Sequence, residues 1–202
     1  MLWDLLCQPF VEFDFMRHAL LGIVCLALGT APLGVLLQLR RMSLMGDAIG
    51  HAVLPGVVLG YLLAGQNIWV MGAGGLLAGL AMALGVGLAS RQSPVREESH
   101  LAAFYLTCLA LGVAAVSRYG SQTDLLHLLF GSILAVENDA ALFVTGVCIV
   151  TLITLAIFYR GLVTEAFDTA WLQVNARGLP GLLHGLFLAL LVLNLVAGFQ
   201  VL

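Results

Sequence analysis

Apolar and polar positions alternate along this chain on a long scale: extended apolar runs are broken by short charged or turn-forming stretches. Runs near the length of about 20 residues needed to cross a bilayer's hydrocarbon core fall at 18–38, 44–64, 68–89, 100–117, 140–159 and 180–202. Each is predicted to be a spanning helix. Residues 125–136, LLHLLFGSILAV, are apolar but too short to span, and they lie between RYGSQTD and END. They are predicted to start and finish on one side, as a re-entrant helix or as an amphipathic cap over the bundle. The expected fold class is all-α, a polytopic integral membrane bundle, with residues 1–202 forming a single transmembrane domain.

Composition agrees with this pattern. The chain is 61% hydrophobic and 9% charged, with a mean hydropathy of +1.07, whereas soluble domains are about a quarter charged. The net charge of −3 gives no sign of a nucleic-acid partner. Arg40, Arg41, Arg91, Arg96, Arg160 and Arg177 fall on one side of the predicted membrane, and Arg17 and Arg118 on the other. The positive-inside bias puts the larger group in the cytoplasm and both termini outside. The N-terminal stretch carries acids where a signal peptide needs basic residues, so the first spanning helix is expected to drive insertion. Cys7, Cys25, Cys108 and Cys148 are far apart with no CxxC, which reads as small packing residues rather than a disulfide or thiolate site.

The third run, MGAGGLLAGLAMALGVGLAS, has small residues such as Gly75 and Gly79 one turn apart. That spacing lets helix backbones approach closely in lipid. The second run raises a different matter. RRMSLMGDAIGHAVLPGVVLGYLL carries Asp47 and His51 four positions apart, on one helical face with Cβ atoms about 5–6 Å from each other. A carboxylate and an imidazole both ligate zinc, manganese or ferrous iron, and an acid inside a membrane span is costly enough to suggest function. Spacing alone leaves open an Asp47–His51 hydrogen bond, or an Asp47–Arg41 ion pair, that merely fixes the start of the helix. Pro55, one turn later, loosens the helix. No HExxH is present, which argues against an intramembrane metalloprotease.

Between the fifth and sixth runs lies YRGLVTEAFDTAWLQVNARGLPG. Phe167, Ala170, Trp171 and Val174 recur at helical intervals, and Glu165 and Asp168 lie near the start, where the helix dipole favours acids. Gly178 and Pro180 end the segment. An amphipathic helix over 165–178 is expected, lying on lipid headgroups or seated in a groove of a soluble partner.

Taken together, RRMSLMGDAIGHAVLPGVVLGYLL, LLFGSILAV, and FD followed by a helical stretch and GLP resemble the permease subunit of bacterial ATP-binding-cassette importers for zinc, manganese and iron. The similarity runs over essentially the whole chain. It implies a homodimeric channel in the bacterial inner membrane, fed by a periplasmic metal-binding protein and driven by cytoplasmic ATP-binding subunits. The permease itself would not be an enzyme and would hold no permanent cofactor. Asp47 and His51 match the family's Gly-Asp-x-x-x-His segment and would contact the transported ion, with zinc preferred over manganese or iron. Glu165, Phe167 and Asp168 would belong to the element coupling to the ATPase. Where the family often has serine before the histidine, this chain has Gly50; where family members continue into further helices, it stops at Leu202, so it is expected to be either truncated at the C-terminus or a naturally shortened form. Two readings from other classes compete with this one. In a proton-coupled secondary transporter Asp47 and His51 would relay protons; in a non-transporting assembly subunit the 165–178 helix would be only a docking surface.

Overall fold

The computed structural model describes residues 13–65, 67–92, 97–119, 138–176 and 178–201. Over these residues the chain forms seven helices: α1 (Asp14–Leu39), α2 (Ser43–Ala64), α3 (Ile68–Gln92), α4 (Glu97–Tyr119), α5 (Asn138–Phe167), α6 (Thr169–Asn175) and α7 (Leu179–Val201). Residues 125–136 and Cys7 lie outside the described residues.

Helices α1, α2, α3, α5 and α7 are long and apolar enough to cross a membrane by length and composition. The expectation of six spans differs from this at α4. Its apolar part, Ser99–Ala115, is shorter than the other five because Glu97 and Glu98 begin the helix and Arg118 lies in its last turn. Helix α5 departs in the other direction. The sequence ended it at residue 159, yet it continues without a break to Phe167 and has 30 residues. At 1.5 Å per residue it is about 45 Å long, beyond the roughly 30 Å of hydrocarbon. Its last turns therefore project past the apolar slab.

One face of α2 is buried: Met45, Ile49, Ala52 and Val53 are almost inaccessible, and their spacing marks a single helical stripe. Helix α3 packs closely on α2 through glycine. A Cβ on Gly60 would lie 2.8 Å from the Met71 Cα, and one on Gly75 would lie 2.9 Å from methyls of Val53 and Val57. Gly79 meets Val192 of α7 in the same way, so the small-residue pattern of the third run is a packing surface. Helix α7 is central, with Leu183, Phe187, Leu191, Val192 and Val196 buried. Inside the bundle the Asn194 Nδ2 donates to Thr151 Oγ1 at 2.7 Å and to the Leu190 carbonyl at 2.9 Å, an interhelical hydrogen bond in a low-dielectric setting. Outward-facing Leu20, Ile23, Leu28, Ile149, Ile153 and Ile157 are exposed; a soluble monomer rarely shows such a surface, and lipid covers it naturally.

The amphipathic segment is shorter than expected. Asp168 caps α6, its Oδ1 accepting from the Trp171 backbone N–H at 2.8 Å, and the helix ends at Asn175. Glu165 belongs to the last turns of α5, not to this helix. Gly178, at φ +90°, supplies the left-handed turn before α7, a conformation in which a side chain would be strained.

Candidate functional site

Helix α2 begins only three residues after the end of the α1 cap at Arg40. Arg41 adopts φ +57°, and the Met42 N–H donates back to the Leu37 carbonyl at 3.1 Å, reversing the chain so that α2 runs back through the bundle. One turn later Asp47 leaves the helix on the face opposite the buried stripe. Its Oδ1 is 3.6 Å from the His51 Nε2, and the two side chains are 77% and 38% exposed. At that distance the two groups face each other without a tight hydrogen bond.

Helix α4 lines the other side. The Tyr105 ring meets the His51 imidazole edge to face, with centroids 5.1 Å apart and planes at 62°, an arrangement aromatic quadrupoles favour. Leu44, Asp47, Ala48, Leu101, Ala102 and Tyr105 line an open pocket of about 150 Å³. A Cβ on Gly50 would meet nothing within 4 Å, so the position beside the pair is unfilled. Pro55 is enclosed in α2 without ending it, and α4 approaches it at Gly112, where a Cβ would lie 3.4 Å from the Pro55 Cδ.

The structure therefore brings Asp47 and His51 together, and among the described residues no ion pair joins Asp47 to Arg41. Two ligands are too few for a closed zinc site, which takes four. Among the described residues no three His, Cys, Asp or Glu side chains are grouped to hold a metal ion. Asp124, His127 and Glu137 lie outside the described residues. Cys25, Cys108 and Cys148 are free thiols.

Where α5 ends and α6 begins, Phe167 is 72%, Trp171 56% and Val174 83% exposed, so the last residue of α5 and α6 together offer an apolar ridge around the Asp168 cap. Glu165 points the other way. It is 7% exposed and forms an ion pair with Arg40, itself 5% exposed. Sequence reasoning put no functional weight on Arg40, Tyr105 or His184; a pairing across 144 positions, as between Arg40 and His184, leaves no periodic mark.

Comparison with known proteins matches this arrangement to a family. The ABC 3 transport family matches residues 12–202. The chain is 32% identical over 196 residues to the manganese transport system membrane protein MntC of Listeria monocytogenes, covering 97% of this chain and 68% of that protein. It is 35% identical over 194 residues to the manganese import system permease protein ScaB of Streptococcus gordonii, covering 96% and 68%. It is 33% identical over 201 residues to a probable iron transport system membrane protein of Haemophilus influenzae, covering 99% and 72%. Among solved structures, PsaBC from Streptococcus pneumoniae in complex with Fab superimposes with a TM-score of 0.83 at 32% identity, over 96% of this chain and 68% of that one. The chain thus spans about two thirds of these relatives. The chain belongs to the ABC 3 transport family: it is a membrane-spanning permease subunit of the ATP-binding-cassette metal importers, and not itself an enzyme.

Proposed function

We propose that this permease carries a divalent transition-metal ion inward across the cytoplasmic membrane of a bacterium. Residues 1–202 act as one membrane domain. Two copies form the pathway, separate cytoplasmic subunits hydrolyse ATP, and an external metal-binding protein delivers the ion. The observation that carries this reading is the 77% exposure of Asp47 on a membrane helix, with His51 beside it at 3.6 Å. A carboxylate turned outward from its own bundle is expensive against lipid, by about 2.5–3.5 kcal/mol at mid-membrane on insertion scales. Facing a second copy or a water-filled path removes that cost. Paired copies would bring two carboxylates and two imidazoles together, four ligands of which one chain supplies two.

Aspartate and histidine suit several ions. Carboxylate oxygen is a hard donor suited to manganese, and imidazole serves iron and zinc. Sequence chemistry put zinc first; relatives named for manganese and for iron favour those two, and zinc becomes the competitor to test. The exposed ridge of α6, with Phe167 and Trp171 beside the Asp168 cap, is a surface of the kind that seats in a groove of a partner, here the ATP-binding subunit.

The test is uptake of manganese, ferrous iron and zinc into vesicles holding the complete transporter, with and without ATP, for wild type, Asp47→Ala and His51→Ala. Uptake that requires ATP and is lost in both variants supports the reading. Uptake that follows a proton gradient without ATP, or that survives both substitutions, overturns it.

A further inference from the structure

Among the described residues, a pair of enclosed charges lies where α1 and α5 end and α7 begins, close to the start of α2. The Arg40 guanidinium is ion-paired with Glu165 and lies 4.2 Å above the ring of Phe187, which is fully buried. Its Nη1 donates to the His184 Nδ1 at 3.2 Å. Arginine has no acceptor, so in this contact the guanidinium is the donor. The Glu165 Oε1 is 3.6 Å from the same nitrogen. Burial lowers the Arg40 pKa, and Glu165 raises it back through charge attraction and a hydrogen bond; arginine's ordinary value is so high that the group stays charged.

Removing such a pair from water seldom stabilises a fold more than apolar side chains of the same size would. What a paired, buried charge does supply is one fixed arrangement of the elements that carry it. The elements here are informative. Arg40 caps α1 and stands three residues before Ser43, where α2 starts, and seven before Asp47. Glu165 stands three residues before Asp168, the cap of α6. The ion pair is thus a direct bridge between the turn that launches the metal helix and the turn that launches the exposed ridge of Phe167, Trp171 and Val174.

We propose that Arg40 and Glu165 are positioning residues that transmit displacement of α6 to α2, so that movement of a docked partner reaches Asp47 and His51. This rests on the reading of α6 as the ATPase-docking element. The link is argued from contiguity, and it predicts a coupling defect that a purely structural role does not.

The experiment measures manganese uptake and ATP hydrolysis together in vesicles containing the complete wild-type or variant transporter. ATP-dependent uptake by the wild type, and its loss in Asp47→Ala, establish first that the reading of the metal pathway stands. Glu165→Gln and Arg40→Gln are then expected to keep hydrolysis while manganese moved per ATP falls about tenfold, inside the 5–150-fold span of ordinary allosteric couplings. Because a single neutralisation leaves one buried charge alone, a double variant, Arg40→Met with Glu165→Leu, removes both and keeps the volume. It is expected to assemble and to show the same fall. An unchanged ratio of manganese to ATP in the double variant, or a proportional loss of uptake and hydrolysis with no change in ratio, overturns the proposal.

Discussion

Two polar groupings in this chain sit at opposite extremes of environment. Asp47 and His51 lie one turn apart on one face of α2, 3.6 Å from each other, Asp47 exposed and His51 half-buried against Tyr105. Arg40, Glu165 and His184 come from three helices, and the Arg40–Glu165 pair is almost wholly enclosed. The first grouping adds little to the stability of its own chain, since Asp47 is largely open to its surroundings and the two groups make no tight hydrogen bond. The second is part of the fold, because neither charge has anywhere else to go. Function that depends on exchange of a ligand belongs with open, weakly held side chains; function that depends on holding helices in register belongs with closed ones.

Substitutions break this contrast in graded ways. The largest effect is expected from Glu165→Ala, which leaves Arg40 buried without its carboxylate and costs about 3–5 kcal/mol; thermal unfolding of the purified permease in detergent measures it. Asp47→Ala should leave that unfolding curve within about 0.5 kcal/mol of wild type, as exposed sites do. On the proposed reading Asp47 is a direct ligand, and its loss should weaken manganese binding about 100-fold, the upper end of what outer-shell changes cost, as read by titration calorimetry. Gly75→Leu sharpens the comparison inside the bundle. Its new side chain starts 2.9 Å from Val53 and Val57, and overpacking of this kind costs about 1–3 kcal/mol. Gly50→Ser is the smallest change. It enters open space, so stability should shift by less than about 0.5 kcal/mol, and metal titration will read whether the added hydroxyl tightens binding.

The helical spans were legible because lipid imposes a simple demand: every backbone group in the hydrocarbon must be paired within its own helix, and the side chains must be apolar. Four of the six expected runs match the observed apolar spans to within a few residues. The ends of α5 and α6 were less legible. In YRGLVTEAF polarity rises where the helix leaves the hydrocarbon, so an apolar run stops at Tyr159 while the backbone ladder continues to Phe167. Hydropathy reports the solvent around a helix, not the helix. Glu165 was grouped with Asp168 for the same reason, although one is buried against Arg40 and the other caps α6.

The sequence by itself determined the all-helical membrane architecture, the close-packing glycines of α3 and the juxtaposition of Asp47 with His51, since each is a matter of run length or of spacing along one helix. Only the tertiary structure decided that Tyr105 stands against His51 and that Arg40 finds Glu165 and His184. Those contacts depend on which helices lie side by side and how each is rotated about its axis. That choice is made by the summed packing of many small apolar contacts, and no local pattern of residues encodes it.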